Sequence, residues 1–210
     1  MRNIVLAIAF FLLVCFPSHA SGEADAAVHA APLSAPLLQS LRQGGYILLV
    51  RHGEASVGSD QTQINFSDCS TQRNLSEEGR RQAVSFGGAI RQLRIPVQLP
   101  VTASPFCRTR ETAALAFGEQ HVQIDPFWLN IYKLSGALPA AEQERIVKAL
   151  TSVLEVKPPA GKNKVIVDHS FPSDVGLGEI PYMGTVLVRP LGEGKGYEVV
   201  DKISLEEFEQ

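Results

Sequence analysis

The chain has 210 residues, 45% apolar and 20% charged, which excludes a disordered or fibrous protein and suits one globular domain with a sizeable core. A formal charge of −3 leaves no electrostatic footprint for nucleic acid, so any anionic ligand would have to be attracted by a few local cations. The chain begins with Arg2, an unbroken apolar run from Ile4 to Phe16, and then Ser18-His19-Ala20. This is the charged start, apolar centre and small-x-small end of a secretory signal peptide over residues 1–20, with cleavage expected after Ala20. The run is short for a membrane span, so the expected product is a periplasmic or secreted chain with no membrane association. Cys15 leaves with the signal, and Cys69 and Cys107 remain, an even count suited to an oxidising compartment.

Residues 21–35 are rich in Ala, Ser, Gly and Pro without periodicity, which predicts a flexible lead-in, and residues 36–210 form the single expected domain. Pro36 to Arg42 predicts a short helix closed by Gly44-Gly45. Tyr46 to Val50 is a short apolar run between glycines, which predicts a buried central strand leading into Arg51, His52, Gly53 and Glu54. Ala55 to Arg73 is a polar loop with no period, and a long loop directly after such a motif is usually functional. Ser76 to Leu93 is the clearest helix, with Ser76 as N-cap, Glu77 and Glu78 in the first turn, and an apolar stripe of Ala83, Val84, Phe86, Gly87, Ile90 and Leu93.

Leu99 to Ala103 predicts a strand running into Ser104-Pro105, followed by a helix from Cys107 to Phe117. Val122 to Asp125 predicts another strand, and Pro139 to Val156 a helix. Lys164 to Val167 predicts a buried strand ending at Asp168 and His169. Gly184–Arg189 and Tyr197–Ile203 predict a closing hairpin. Strands alternating with helices imply an α/β three-layer sandwich around a mostly parallel sheet.

Three predicted strands therefore end in polar chemistry: Arg51 and His52, then Cys107 and Arg108, then Asp168 and His169. In a parallel sheet such ends converge on one edge, so these side chains are expected to share a pocket for a small anion. Arg51 and Arg108 offer planar forks of donors for anionic oxygens. An unprotonated ring nitrogen makes His52 a candidate nucleophile. Asp168, next to His169 on a strand, is expected to point the other way.

The order LVRHGE, NLSEEGRRQA, SPFCRTRETA and a late strand ending in histidine resembles the histidine phosphatase superfamily, branch 1, the phosphoglycerate mutase-like branch, over roughly Gly45 to Ile203. The resemblance implies a phosphoglycerate mutase-like fold and a metal-independent phosphomonoesterase without a cofactor. It makes His52 the transiently phosphorylated nucleophile, and Arg51, Arg108 and His169 the phosphate pocket, as two guanidiniums and an imidazolium. The implied partner is a small phosphorylated substrate. A phosphomutase, or a phosphate-binding module on a degenerate scaffold, stays open as an alternative.

Two departures stand out. The late histidine is followed by Ser170-Phe171-Pro172 rather than by Gly. No carboxylate matches the family's leaving-group acid, for which Glu54 is a candidate and Glu119 comes nearest in placement. Specificity is expected to lie in Ala55–Arg73 and in Asp125–Leu138. Trp128 and Phe127 are candidates for a substrate wall, with a core role as the default. Cys107 precedes Arg108, and Cys69 lies in the loop expected to fold back over the same edge, which predicts a Cys69–Cys107 disulfide rather than two buried thiols.

Overall fold

The computed structural model describes residues 31–210. The expected signal peptide and most of the lead-in lie outside the described residues. Within them the chain has joined the fold by Leu33, whose N–H donates to the Glu207 carbonyl at 3.3 Å. Helix α1 (Ala35–Gln43) opens on Ser34, whose side chain accepts from the Leu37 N–H, and stops at Gly44 with φ +82°. The helix thus begins at Ala35, one residue ahead of the predicted Pro36, because Ser34 caps it.

Six strands follow: β1 (Ile47–Arg51), β2 (Val101–Ala103), β3 (Val122–Ile124), β4 (Lys164–Asp168), β5 (Thr185–Pro190) and β6 (Tyr197–Ile203). They form one sheet in the order β3-β2-β4-β1-β5-β6. β4 is parallel to both β1 and β2, and β2 is parallel to β3. β5 alone runs against its neighbours β1 and β6. The sheet is mostly parallel, as the alternation of apolar runs implies.

The helices are α2 (Glu77–Gln92), α3 (Cys107–Phe117), α4 (Leu129–Leu134), α5 (Ala140–Leu154) and α6 (Leu205–Phe208). Alternate side chains of each inner strand enter opposite cores. Leu48 and Val50 of β1 and Val165 and Val167 of β4 pack with Leu41, Phe86, Ile90 and Phe208 on the face covered by α1, α2, α3 and α6. Ile47, Leu49 and Ile166 pack with Trp128, Ile131, Ile146 and Leu150 on the face covered by α4 and α5. This is the three-layer sandwich, and Trp128, fully buried, is core rather than a substrate wall.

One position of the predicted α2 stripe is corrected. Ala83, Phe86, Gly87 and Ile90 are buried, but Val84 is 52% exposed. It follows Ala83 by about 100° around the helix and so falls on the outer face.

Candidate active site

β1, β4 and β2 are adjacent, so their carboxyl ends meet at the centre of one sheet edge. Arg51 and Asp168 are register partners, and the His52 N–H donates to the Asp168 carbonyl at 2.9 Å, carrying the ladder one residue past the strand. The turn after His52 is tight. Gly53 donates its N–H to Thr112 Oγ1 of α3 at 3.1 Å, and its Cα lies against the backbone of Gly79 in the first turn of α2. A Cβ on Gly53 would overlap the Gly79 carbonyl, and one on Gly79 would overlap the Glu54 carbonyl, so each position requires glycine.

Arg51, His52, Arg108 and His169, the four residues implied for the phosphate pocket, line one cavity of about 340 Å³. His52 Nδ1 lies 2.7 Å from the Gly53 carbonyl, which can only accept, so Nδ1 carries the proton and Nε2 has the lone pair. The Arg108 Nε–H donates to that Nε2 at 3.2 Å. His169 meets His52 edge-on, with ring centroids 5.2 Å apart. Nε of Arg51 and Nε2 of His169 are buried without a protein hydrogen-bond partner, and buried polar nitrogens of this kind seek a ligand's oxygens.

Burial, with Arg108 adding to it, holds the His52 imidazolium well below the ordinary histidine range. Burial, then His52 and Arg108, does the same to His169. The imidazolium expected in the pocket is therefore held toward a neutral imidazole in the free protein, because burial penalises its charged form and a second histidine and two arginines add to that. Asp168 is fully buried, and burial pushes its carboxyl well above the usual range. It contributes its backbone, not its carboxylate, to the contact with His52.

The segment after His169 has a structural role of its own. The Ser170 hydroxyl accepts from the Ile180 N–H at 2.9 Å, and the Ile180 carbonyl accepts from Arg51 Nη1 at 2.8 Å. The Tyr182 ring lies under the same guanidinium at 4.0 Å. Ser170 thus ties down the return loop that holds Arg51.

Both segments expected to set specificity reach the cavity: Gly58, Ser59, Asp60 and Arg73 from the first, Tyr132 and Ser135 from the second. Sequence reasoning did not single out Asp60, Arg73 or Tyr132, since neither segment carries a period. Asp60 grips Arg108 through both carboxylate oxygens, at 2.8 and 3.1 Å. Burial alone would raise its carboxyl, but hydrogen bonds from Arg108 and the Arg73 N–H bring it below the usual range.

Glu54 is not among the residues lining this cavity. Its carboxylate accepts from the Ser76 hydroxyl, the N-cap of α2, at 2.7 Å and borders a neighbouring cavity of about 550 Å³ with Arg73 and Tyr182. Glu119 borders a different cleft, beside the cysteines. Cys69 and Cys107 are joined in a disulfide with their Cα atoms 5.7 Å apart, and the Gln72 side chain accepts from the Cys107 N–H at 2.9 Å. The long loop is therefore fastened to the first turn of α3, one residue from Arg108.

Residues 47–128 match the family model described as histidine phosphatase superfamily (branch 1). No curated protein matches the chain in sequence. Among solved structures, phosphoserine phosphatase from Entamoeba histolytica in complex with 3-phosphoglyceric acid is similar at 17% identity and a TM-score of 0.51, covering 76% of this chain and 96% of its own. Alpha-ribazole phosphatase from Shigella flexneri is similar at 15% identity and a TM-score of 0.50, covering 76% of this chain and 96% of its own. A protein described as mycobacterial hydrolase 1 is similar at 16% identity and a TM-score of 0.51, covering 75% of this chain and 97% of its own. At such identities the likeness is one of fold. The family-model match runs from β1 through β3 to Trp128, so this part of the chain is similar to branch 1 of the histidine phosphatase superfamily.

Proposed function

We propose that this chain is a phosphomonoesterase that hydrolyses a small phosphorylated compound through a phosphohistidine on His52, in an exported, oxidising compartment. The observation that carries the reading is the tautomer of His52. The Gly53 carbonyl fixes the proton on Nδ1 and leaves the Nε2 lone pair in a cavity shared with two arginines. Nε2 attacks phosphorus in line, the N–P bond forms as the ester P–O bond breaks, and the leaving oxygen takes its proton from solvent water. Water then attacks phosphorus, the N–P bond breaks, and the lone pair returns to Nε2 as inorganic phosphate leaves. Arg51 and Arg108 meet the charge spread over the equatorial oxygens, with His169 beside them. The Cys69–Cys107 disulfide supports an oxidising compartment.

Turnover of a generic aryl phosphate by the purified chain tests the reading, and a screen of phosphorylated metabolites then defines the substrate. Failure to hydrolyse any phosphomonoester would leave a phosphate-binding module. Catalysis is expected to be metal-independent, because charged protein groups already face the transferring oxygens. Among the described residues, no three His, Cys, Asp or Glu side chains gather as a metal site would need. Activity should survive exhaustive chelation, and a complete loss restored by a divalent ion would contradict this.

The pH dependence follows from His52. Protonating Nε2 removes the nucleophile, and the folded-state value lies below the ordinary 6.5, so the loss comes late as pH falls. The acid limb of kcat/KM assigned to His52 should lie well below pH 6.5. A limb at or above that value, after allowance for the ester's own ionisation, would show that His52 is not the group held neutral.

A further inference from the structure

The reaction as proposed leaves Asp60 without a task, although it is the one carboxylate among the residues lining the cavity. Its side chain is only 6% exposed. Four donors reach its two oxygens. Oδ1 accepts from Arg108 Nη1 and from the Arg73 backbone N–H, each at 2.8 Å. Oδ2 accepts from Arg108 Nη2 at 3.1 Å and from the Tyr132 hydroxyl at 3.0 Å.

This pairing takes the guanidinium end-on, through both terminal nitrogens. Nη1 also donates to the Arg73 carbonyl at 3.2 Å, so both its hydrogens are used. Nε–H points at His52 Nε2. The second Nη2–H lies beside Nε–H on the side edge of the guanidinium. A phosphoryl group bonded to His52 Nε2 takes the lone pair that Nε–H engages and brings its own oxygens to Nε–H and the second Nη2–H instead. Asp60 and the phosphoryl group thus use different edges of one fork.

We propose that Asp60 is a positioning residue: it clamps Arg108 by its terminal nitrogens and so turns the Nε–Nη2 edge onto the phosphoryl group carried by His52. This inference rests on the function proposed above. Two other roles fit the geometry less well. As a proton donor, Asp60 would have to give up one of four donors that already engage it. As a competing anion, it would have to occupy the edge the phosphoryl group needs, and it occupies the other one. Its anchors come from two separate elements, the long loop through Arg73 and α4 through Tyr132, which fixes the carboxylate independently of Arg108.

The test is Asp60→Asn, which keeps the size and one acceptor but cannot receive both terminal nitrogens. Steady-state kinetics with nitrophenyl phosphate and with an alkyl phosphate should show kcat reduced about tenfold to a hundredfold, with KM little changed. The loss should be equal for the two esters. Calorimetric binding of vanadate, which adopts five-coordinate geometry, and of inorganic phosphate should show vanadate's advantage shrinking in step with kcat. The common gain from removing a negative charge cancels in that ratio. Tyr132→Phe should move both readouts in the same direction by less.

A loss confined to the alkyl ester would overturn the clamp in favour of a proton donor. Tighter phosphate binding without loss of kcat would overturn it in favour of a competing anion. An unchanged vanadate-to-phosphate ratio with a lower melting temperature would reduce Asp60 to a structural role. If the unaltered protein hydrolyses neither ester nor any phosphomonoester of the metabolite screen, the phosphatase reading fails, and the binding ratio still decides the clamp.

Discussion

His52→Ala is expected to lower kcat by about a thousandfold or more while leaving the protein folded. The proposed mechanism assigns the N–P bond to this imidazole, and its loss cannot be offset by the arginines, which stabilise charge but cannot attack. The fold should persist because the side chain sits past the end of β1, where the ladder to β4 is made by the His52 backbone rather than by its ring. Arg108 Nε loses its acceptor, but the terminal nitrogens keep their bonds to Asp60 and the Arg73 carbonyl. Rapid quenching of the unaltered enzyme with labelled substrate should trap an acid-labile, alkali-stable phosphoprotein, and His52→Ala should trap none. Turnover by His52→Ala at near the original rate would sink the mechanism.

The second large effect concerns stability. Breaking the Cys69–Cys107 disulfide frees a loop with a sequence separation of 38, worth about 4 kcal/mol on the chain-entropy model. Cys69→Ser removes the bond without disturbing buried Cys107. The midpoint of denaturant unfolding should fall accordingly, and reductant should lower the original protein to the level of Cys69→Ser while leaving that variant unmoved. Oxyanion binding should weaken as well, since Asp60 and Arg73 belong to the loop that the bond fastens to α3. An unchanged midpoint in reductant would show that the loop is held by its hydrogen bonds alone.

The strands and helices that could be read from the sequence are those whose burial has a period. The apolar run before Arg51, the capped start of α2 and the stripe of α5 are local patterns, and they brought His52, Arg108 and His169 to one edge by topology alone. The residues that escaped are held by tertiary contacts. Asp60 and Arg73 lie in a loop with no repeat, fixed by a disulfide and by side-chain bonds to distant backbone. Tyr132 lies on the six-residue α4, too short to show a stripe. Glu54 follows the site motif directly, yet a sharp turn between two glycines sends its carboxylate to the cap of α2. Ser170 departs from the family pattern, and only the returning loop shows that its hydroxyl braces Arg51 through Ile180.

The sheet order also sets a timetable. β4 lies between β1 and β2, so the two early strands that carry His52 and lead to Arg108 are not neighbours. β1 pairs only with β4 and β5, and Ile47 waits for Lys164, more than a hundred residues downstream. A chain emerging from its N-terminal end has therefore made its nucleophile, both cysteines and its pocket arginine before any strand exists to bring them together. Such distant pairing closes slowly. The cysteines need not wait for it, since both lie ahead of β4. A bond formed between them at that stage would hold the loop to the start of α3 while β1 is still unpaired. The stretch from β1 to β3, over which the family model matches, lacks both partners of β1, and the last strand to enter the centre of the sheet is the one that leads to His169.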